Sequence, residues 1–487
     1  MKYKFLHIDD LSFSDSFKRG LLKINSLSRF DKIMIYFWLL GPFIYLIERD
    51  PADLWLTTIS LTFLYRSYIR SDWEWSKQLW FKFALLLWVV SLVSSLFSPN
   101  PLFSISQGFP WIRFPLYAAA AQIWLGQNRD IRVMMFAIIM IGMICLSSIL
   151  FFEILLEPKS RLTWPYGDAI PGVYLAKLGL LVMCSLYLVT LNSFNFVITL
   201  FLITSFTFLI LTGERTHLIL VFCAMLMSSF QSNLSKSKIL FLIFTITSLI
   251  SLLYYFKPNK FERIFVKSYY IITYPFKAEK IENILKNNVN DFRSSEKKKT
   301  YLSHVMNKKE YHDYINNNMD DETYKKIISN INYLKKIGVN ISSYWGAWRS
   351  GIQQGLENPF LGIGPSGTRH NCKYLNEEDV NWLPGRNYCG NHPHNFYVQL
   401  FAETGILGLI LGTLMFYNII TKCYNKLKYN VNCPMYKISY IVPLALFFPI
   451  QQYGSFFGQW GNLFIWFSIG FALSQIQINN NNRKINA

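Results

Sequence analysis

Blocks of apolar residues long enough to cross a lipid bilayer recur along most of the chain. A helix needs about 17–25 mostly apolar residues for this, and it satisfies its own backbone hydrogen bonds in lipid. Only 16% of the 487 residues are charged, whereas soluble domains have about 25%. The pattern predicts an all-α polytopic membrane protein with about 12 transmembrane helices. The predicted spans lie near 33–48, 53–65, 78–97, 109–125, 133–153, 172–191, 194–212, 215–231, 238–256, 395–420, 438–451 and 456–476.

Lysines and arginines in the short connections indicate which side of the membrane each end faces. They concentrate in one alternate set of loops, for example at Arg66, Lys422 and Lys426, while the other set holds few. Because positively charged short loops stay in the cytoplasm, both termini are predicted to be cytoplasmic. The net charge of +19 is scattered over many loops. It therefore indicates contact with membrane lipids and no nucleic-acid partner.

One connection is much longer than the others, and by the parity of the spans it lies on the outer face. The sequence thus predicts a cytoplasmic N-terminal segment at 1–32, helices 1–9 at 33–256, a periplasmic loop domain at 257–394, helices 10–12 at 395–476 and a cytoplasmic tail at 477–487. The loop domain begins with a Lys-rich stretch whose role the sequence does not indicate.

Two cysteines of this outer segment, Cys372 and Cys389, leave two arrangements open. Disulfides form in oxidising compartments outside the cytoplasm. A bridge here would close a short loop just before the histidines and stabilise the fold by about 3 kcal/mol. The alternative is a pair of free thiols.

The end of the outer segment combines an amphipathic helix with a glycine-rich turn. Trp345, Trp348, Ile352 and Leu356 recur at three- and four-residue steps, which predicts a helix whose apolar face suits the headgroup layer. Asn358-Pro359 ends it, and the glycines up to Gly367 allow backbone amides to approach a ligand. A phosphate cradle and an ordinary re-entrant turn both fit this run.

A histidine pair stands immediately before a long apolar helix. Asn395 or His394 can cap that helix, and a histidine there is also placed to accept a proton from a hydroxyl nucleophile. His392 and His394 have no clear Asp, Glu or Cys partners, so no metal site is predicted. Glu403 follows on the same helical stripe as Asn395. A carboxylate there should face protein or water, and both a functional and a packing role remain open.

Arginines also occur on the outer face, which the charge rule should deplete. Arg161 follows the fifth predicted span, and Arg215 ends a tight turn between the seventh and eighth. A lone arginine at a helix end can anchor the protein at the headgroups. A guanidinium also grips phosphate oxygens with two hydrogen bonds, so phosphate binding is the second interpretation.

Taken together, these motifs resemble those of the O-antigen ligase and polymerase superfamily of bacterial inner membranes. The resemblance covers roughly 160–420 and is carried by Asn358–Pro365 (NPFLGIGP), His392–Tyr397 (HPHNFY), Glu403–Gly408 (ETGILG) and Thr212–Arg215 (TGER). Members of that superfamily have about twelve spans and one large periplasmic segment between spans nine and ten, which carries an essential histidine.

The resemblance implies a metal-independent, inverting glycosyltransferase that uses no cofactor. It would move a glycan from undecaprenyl pyrophosphate to a hydroxyl of lipid A-core, at the periplasmic face of the inner membrane. A polymerase, whose acceptor is a second carrier-linked glycan, is the alternative, and a glycan-to-protein transferase is a third. An alternative of another class is a non-catalytic transporter of lipid-linked glycans, although the internal repeats typical of transporters are not seen.

Matching the motifs residue by residue implies that His394 is the catalytic histidine and Arg215 the helix-boundary arginine. A second family arginine usually precedes the Trp-bearing helix. Here Tyr344 or Trp345 stands at that position, and the nearest arginines are Arg349 and Arg293. The residues predicted to bind substrate are Arg161, Arg349, His392, Asn395 and Glu403.

Overall fold

The computed structural model is built from helices and their connections, and no strand occurs among the residues it describes. Those residues are 13–156, 162–167, 170–192, 195–231, 342–370, 392–427, 438–449 and 454–476, together with positions 248, 251 and 255. The ninth predicted span, the Lys-rich part of the loop domain and the cytoplasmic tail lie almost entirely outside them.

The helices are numbered here in chain order, and shorter 3-10 or π segments are given by their bounds alone. The α-helices are α1 (Phe13–Asn25), α2 (Arg29–Leu39), α3 (Gly41–Ile47), α4 (Arg49–Ile69), α5 (Leu79–Leu96), α6 (Pro101–Gly108), α7 (Arg113–Trp124), α8 (Arg129–Leu156), α9 (Ile170–Val173), α10 (Leu180–Asn192), α11 (Phe196–Leu211), α12 (Arg215–Gln231), α13 (Ser342–Glu357), α14 (Phe396–Leu427), α15 (Ile441–Leu446) and α16 (Gln459–Ser474). The 3-10 segments are Glu74–Lys77, Phe109–Ile112 and Gly367–Arg369, and Tyr174–Leu178 is a π segment.

Within the described part, three helices are long and apolar enough to cross a membrane. They are Leu79–Leu96, Arg129–Leu156 and Phe396–Asn425. Two bent pairs raise this number to as many as five: α2 with α3, bent by 45°, and Ile170–Leu178 with Leu180–Thr190, bent by 55°. The all-helical membrane fold is thus confirmed. The count of twelve spans and the periplasmic loop domain are not confirmed and stay predictions.

Several predicted spans correspond to helices that are not clear membrane spans by length and composition. Phe196–Leu211 and Thr216–Phe230 are apolar but have fewer than 18 residues. α4 is long enough, but it carries Asp50, Asp53 and Arg66 among its apolar residues. Charged residues lower the mean hydropathy of α4, and this is why length alone does not make it a clear span.

The centre of the bundle depends on small residues. Ala118 to Ala121 on α7 are fully buried, and α7 packs extensively against α16. A Cβ placed on Gly470 of α16 would lie 3.1 Å from the Ala121 Cβ. Small side chains let helix backbones approach closely, so packing contacts can replace the hydrophobic driving force that lipid does not supply.

The helices that carry the predicted site pack around α14. α14 makes its most extensive contacts with α5, and α13 lies along its first turns. α13 is amphipathic as predicted, since Gly351 and Gln354 are buried whereas Ile352 and Leu356 are exposed. Its buried glycine edge faces α14, because a Cβ on Gly351 would meet Pro393 and Val398.

Candidate active site

Helix α14 begins at the histidine motif, and Asn395 caps it. The Asn395 Oδ1 accepts hydrogen bonds from the amides of Tyr397 and Val398 at 2.9 and 3.2 Å. Its Nδ2 donates to the Pro449 carbonyl oxygen at 2.6 Å. The side chain is buried, so the asparagine ties the start of α14 to the segment after α15. Of the two caps that the sequence left open, Asn395 is the one observed.

His394 lies beside this cap in an unusual backbone conformation. Its φ is +57°, in the left-handed region that few non-glycine residues occupy. The side chain is half-buried, and its ring centroid lies 4.2 Å from that of His392. Strained residues of this kind cluster at functional sites when the surrounding structure holds them. Among the residues described, no group of three His, Cys, Asp or Glu is placed to hold a metal ion.

Two turns into α14, the helix breaks at Gly405, where φ is +65°. The glycine-rich turn forms hydrogen bonds with the backbone groups that lose their helical partners at this break. Ile363 and Gly364 donate their amides to the carbonyl oxygens of Ala402 and Glu403 at 3.0 and 2.9 Å, and Ile406 donates to the Pro359 carbonyl at 2.7 Å. In a membrane protein such substitution is required, because lipid cannot accept these hydrogen bonds.

The glycines of both motifs make this contact possible. A Cβ on Gly362 would lie 2.5 Å from the Thr404 amide nitrogen, and one on Gly405 would overlap the Phe360 carbonyl group. Ser94 of α5 closes the junction, since its Oγ lies 2.7 Å from the Glu403 carbonyl oxygen and 2.5 Å from that of Leu361. The NPFLGIGP and ETGILG motifs are therefore one structural unit.

The Glu403 carboxylate is fully buried and faces protein. It accepts hydrogen bonds from Thr368 Oγ1 at 2.8 Å and Gln399 Nε2 at 2.9 Å, and from the backbone amide of Ser366. Ser366 has a φ of +56°, so, like His394, it is a non-glycine residue in the left-handed region. Glu403 thus fixes the segment that follows the glycine-rich turn.

That segment also carries Arg369, which the sequence analysis did not single out. The Arg369 guanidinium is attracted by the Glu403 carboxylate and lies 5.6 Å from the centroid of the Phe103 ring. The His370 ring meets Phe103 edge-on, with centroids 4.8 Å apart. A cation over an aromatic face is a favourable contact. Phe103 on α6 and Glu403 on α14 are both distant from Arg369 in the chain, so no local pattern reveals these contacts.

The second motif region is the turn that precedes α12, whose first residue is Arg215. The Arg215 side chain lies outside the described part of the structure. Two contacts hold the turn: the Leu162 amide donates to the Leu211 carbonyl at 3.4 Å, and a Cβ on Gly172 would lie 2.9 Å from Thr212 Oγ1. The turn is therefore packed between the loop after α8 and the start of the next span.

A buried carboxylate organises the loop after α8. Glu153 accepts hydrogen bonds from the amides of Thr163 and Trp164 at 2.9 Å and from Thr163 Oγ1 at 3.1 Å. An acidic residue near the end of an otherwise apolar span was a signal that the sequence analysis missed.

The remaining predicted residues lie outside the described part of the structure. They are Arg161, Arg293, Cys372 and Cys389 entirely, and Arg349 in its side chain. Their predicted roles, and the possible disulfide, stay predictions. Lys177, within the predicted span 172–191, is buried in the π segment Tyr174–Leu178.

Comparison with known families supports the relationship inferred from the motifs. Residues 200–412 match the family model described as O-Antigen ligase. No curated protein matches the chain. The matched segment includes the TGER turn, the glycine-rich turn, the histidine motif and the break in α14. Over residues 200–412, this membrane protein is thus similar to the O-antigen ligase family.

Proposed function

We propose that the protein transfers a glycan from undecaprenyl pyrophosphate to an acceptor hydroxyl on lipid A-core, at the periplasmic face of the bacterial inner membrane. The observation that carries this proposal is the set of backbone hydrogen bonds between the NPFLGIGP turn and the broken ETGILG segment of α14. That helix begins at the HPHN motif, and all three motifs lie within the matched family segment.

His394 acts as the general base in this proposal. Its imidazole stands at the mouth of α14, next to the capped first turn and half-buried. It removes the proton from the acceptor hydroxyl as the oxygen attacks the anomeric carbon from the face opposite the leaving group. The configuration at that carbon is then inverted, by analogy with base-assisted inverting hydrolysis.

Arg215 stabilises the leaving pyrophosphate. Negative charge grows on the phosphate oxygens as the glycosidic bond breaks, and a fixed guanidinium in a partly dry site can stabilise it by several kcal/mol. Arg161 and Arg349 are the further arginines proposed to contact substrate, and the reaction needs neither a metal nor a cofactor. Both substrates are amphiphiles, so a site at the membrane surface brings them together at little entropic cost.

Deleting the gene and examining surface polysaccharide tests this function. Loss of all polymer from lipid A-core is the result that a ligase predicts, whereas lipid A-core capped with single repeats indicates the polymerase. Unchanged polysaccharide would contradict both. Complementation of the deletion with His394→Ala distinguishes a transferase from a transporter. A transporter does not need a general base, so the variant would restore the polymer if the protein were one.

A further inference from the structure

The break in α14 lies level with the end of α5. Ser94, two residues before α5 ends at Leu96, donates from its Oγ to the Glu403 carbonyl oxygen at 2.7 Å. After the break, α14 continues from Ile406 to Leu427. This part is about 33 Å long, enough to cross the hydrocarbon core of about 30 Å. The break therefore marks the membrane boundary, and the first turns of α14 project beyond it.

The segment 366–370 is held at this same level from two sides. On one side, Thr368 Oγ1 donates to the Glu403 carboxylate at 2.8 Å. On the other side, the residue before the segment packs on α6, since a Cβ on Gly108 would lie 3.0 Å from Pro365 Cγ. In the predicted topology, α6 belongs to the outer connection between the third and fourth spans. The segment thus lies where that topology places the outer headgroup layer.

Arg369 extends from this segment over an aromatic ring of α6. Its guanidinium carbon lies 5.6 Å from the centroid of the Phe103 ring, and the His370 ring meets the same ring edge-on at 4.8 Å. Arg369 is half-buried and His370 is exposed, so this pair reaches the surface. A guanidinium that a ring already holds in place loses less conformational entropy when it binds a ligand.

The levels of Arg369 and His394 suit the two ends of the proposed reaction. α14 rises about 12 Å from Asn395 to Glu403, so the histidine motif lies further from the membrane than the segment that carries Arg369. In a carrier-linked glycan, the diphosphate joins the lipid tail to the first sugar. The phosphates therefore lie at the headgroup layer, and the anomeric carbon lies on the side away from the membrane.

We propose that Arg369 binds the diphosphate of the carrier lipid, with the anomeric carbon beyond it on the side of His394. A guanidinium can grip phosphate oxygens with two parallel hydrogen bonds. The inference rests on the proposed function and adds to it a substrate-binding residue on the segment that Glu403 and α6 hold.

The test is to titrate undecaprenyl diphosphate into wild-type and variant proteins in phosphatidylcholine nanodiscs and to record their melting temperatures. Arg369→Gln should melt near the wild type but bind this lipid about tenfold or more weakly, since it loses hydrogen bonds to a charged group. Arg369→Lys, which keeps the charge without the fork, should bind with intermediate affinity. Wild-type affinity in Arg369→Gln would overturn the proposal.

A second variant leaves the arginine in place and removes the ring that holds it. Phe103→Leu keeps an apolar side chain on α6, and we expect its affinity to fall about two- to fivefold, the equivalent of an exposed cation–π contact. If Arg369→Gln does not fold, wild-type affinity in Phe103→Leu overturns the proposal.

Two controls separate a diphosphate site from general attraction of anions. Arg49 is an exposed arginine on the same predicted face, and Arg49→Gln should bind as the wild type does. An equal loss there would show that only net charge matters. Phosphatidylglycerol, which has a single phosphate, should not displace undecaprenyl diphosphate from the wild type. Displacement would show that Arg369 binds headgroups in general, and either result would overturn the proposal.

The failure of this proposal can be told apart from that of the proposed function. If wild-type protein binds undecaprenyl diphosphate and Arg369→Gln binds it equally well, only the role of Arg369 fails. If wild-type protein does not bind undecaprenyl diphosphate, the proposed function fails, and the role of Arg369 fails with it.

Discussion

The backbone amide of Gly364 donates a hydrogen bond of 2.9 Å to the carbonyl oxygen of Glu403. This bond joins the turn after α13 to the break in α14. Because the helix breaks at Gly405, the Glu403 carbonyl oxygen has no helical donor, and the Gly364 amide takes that place. The Glu403 carboxylate accepts a further hydrogen bond from Thr368. One residue thus secures the glycine-rich turn through both its backbone and its carboxylate.

Replacing Gly405 with alanine should destabilise the protein strongly. The residue has a φ of +65°, and an added Cβ would overlap the backbone at Phe360 and Leu361. We expect a loss of at least about 2 kcal/mol, measured as a lower melting temperature in detergent. Gly461→Ala is the control, because the nearest atom to its Cβ is 3.8 Å away. Equal stability of the two variants would contradict the tight junction.

Glu403→Gln should loosen the segment from Ser366 to Arg369. The carboxylate accepts hydrogen bonds from Thr368, Gln399 and Ser366, and a carboxamide would turn an NH₂ group toward one of these donors. We expect a cost of about 1–3 kcal/mol and faster hydrogen exchange at 366–369. Glu357→Gln, at an exposed position on α13, should change neither quantity. Unaltered exchange in Glu403→Gln would show that the carboxylate does not hold this segment.

His394→Asn isolates the chemical role of the imidazole. Asparagine tolerates the left-handed region that His394 occupies, so the backbone and the melting temperature should be preserved. Glycan transfer should fall by about 10²–10⁴-fold, the usual contribution of a general base. His392→Asn should reduce transfer less, because we assign it to binding. Transfer at the wild-type rate in His394→Asn would remove the general-base role.

Arg215→Lys should impair transfer severely although it keeps the positive charge. An ammonium group is a point charge and cannot reproduce the two-pronged hydrogen bonding of a guanidinium. Steady-state rates over a range of donor concentrations would measure the effect. Arg49→Lys, at an exposed arginine paired with Asp50, is the control and should behave as wild type. If Arg215→Lys transfers glycan at the wild-type rate, the arginine is only a membrane anchor.

Local patterns in the sequence predicted the parts of the site that depend on local structure. The three- and four-residue spacing from Trp345 to Leu356 predicted the amphipathic α13, and the motif before α14 limited its cap to His394 or Asn395. The break at Gly405 was not predicted, because the segment that replaces its hydrogen bonds lies about forty residues earlier in the chain. The apolar run on both sides of Gly405 indicated an unbroken helix.

Buried charges were the other feature that the sequence did not locate. Lys177 falls within the predicted span 172–191, and the structure buries it in the π segment Tyr174–Leu178. Glu153 lies at the end of the predicted span 133–153 and is also buried. The hydrogen bonds that satisfy Glu153 come from Thr163 and Trp164 in the loop after α8, and periodicity and composition do not report them.

The most direct test is glycan transfer by the purified protein in liposomes. The liposomes contain an undecaprenyl-pyrophosphate-linked glycan and lipid A-core, with EDTA present, and the release of undecaprenyl pyrophosphate and the anomeric configuration of the product are measured. We expect wild-type protein to form an inverted glycosidic bond and release one carrier for each glycan transferred, and His394→Asn to do neither at a comparable rate. Transfer that stops when EDTA is added, or a product with retained configuration, would contradict the mechanism.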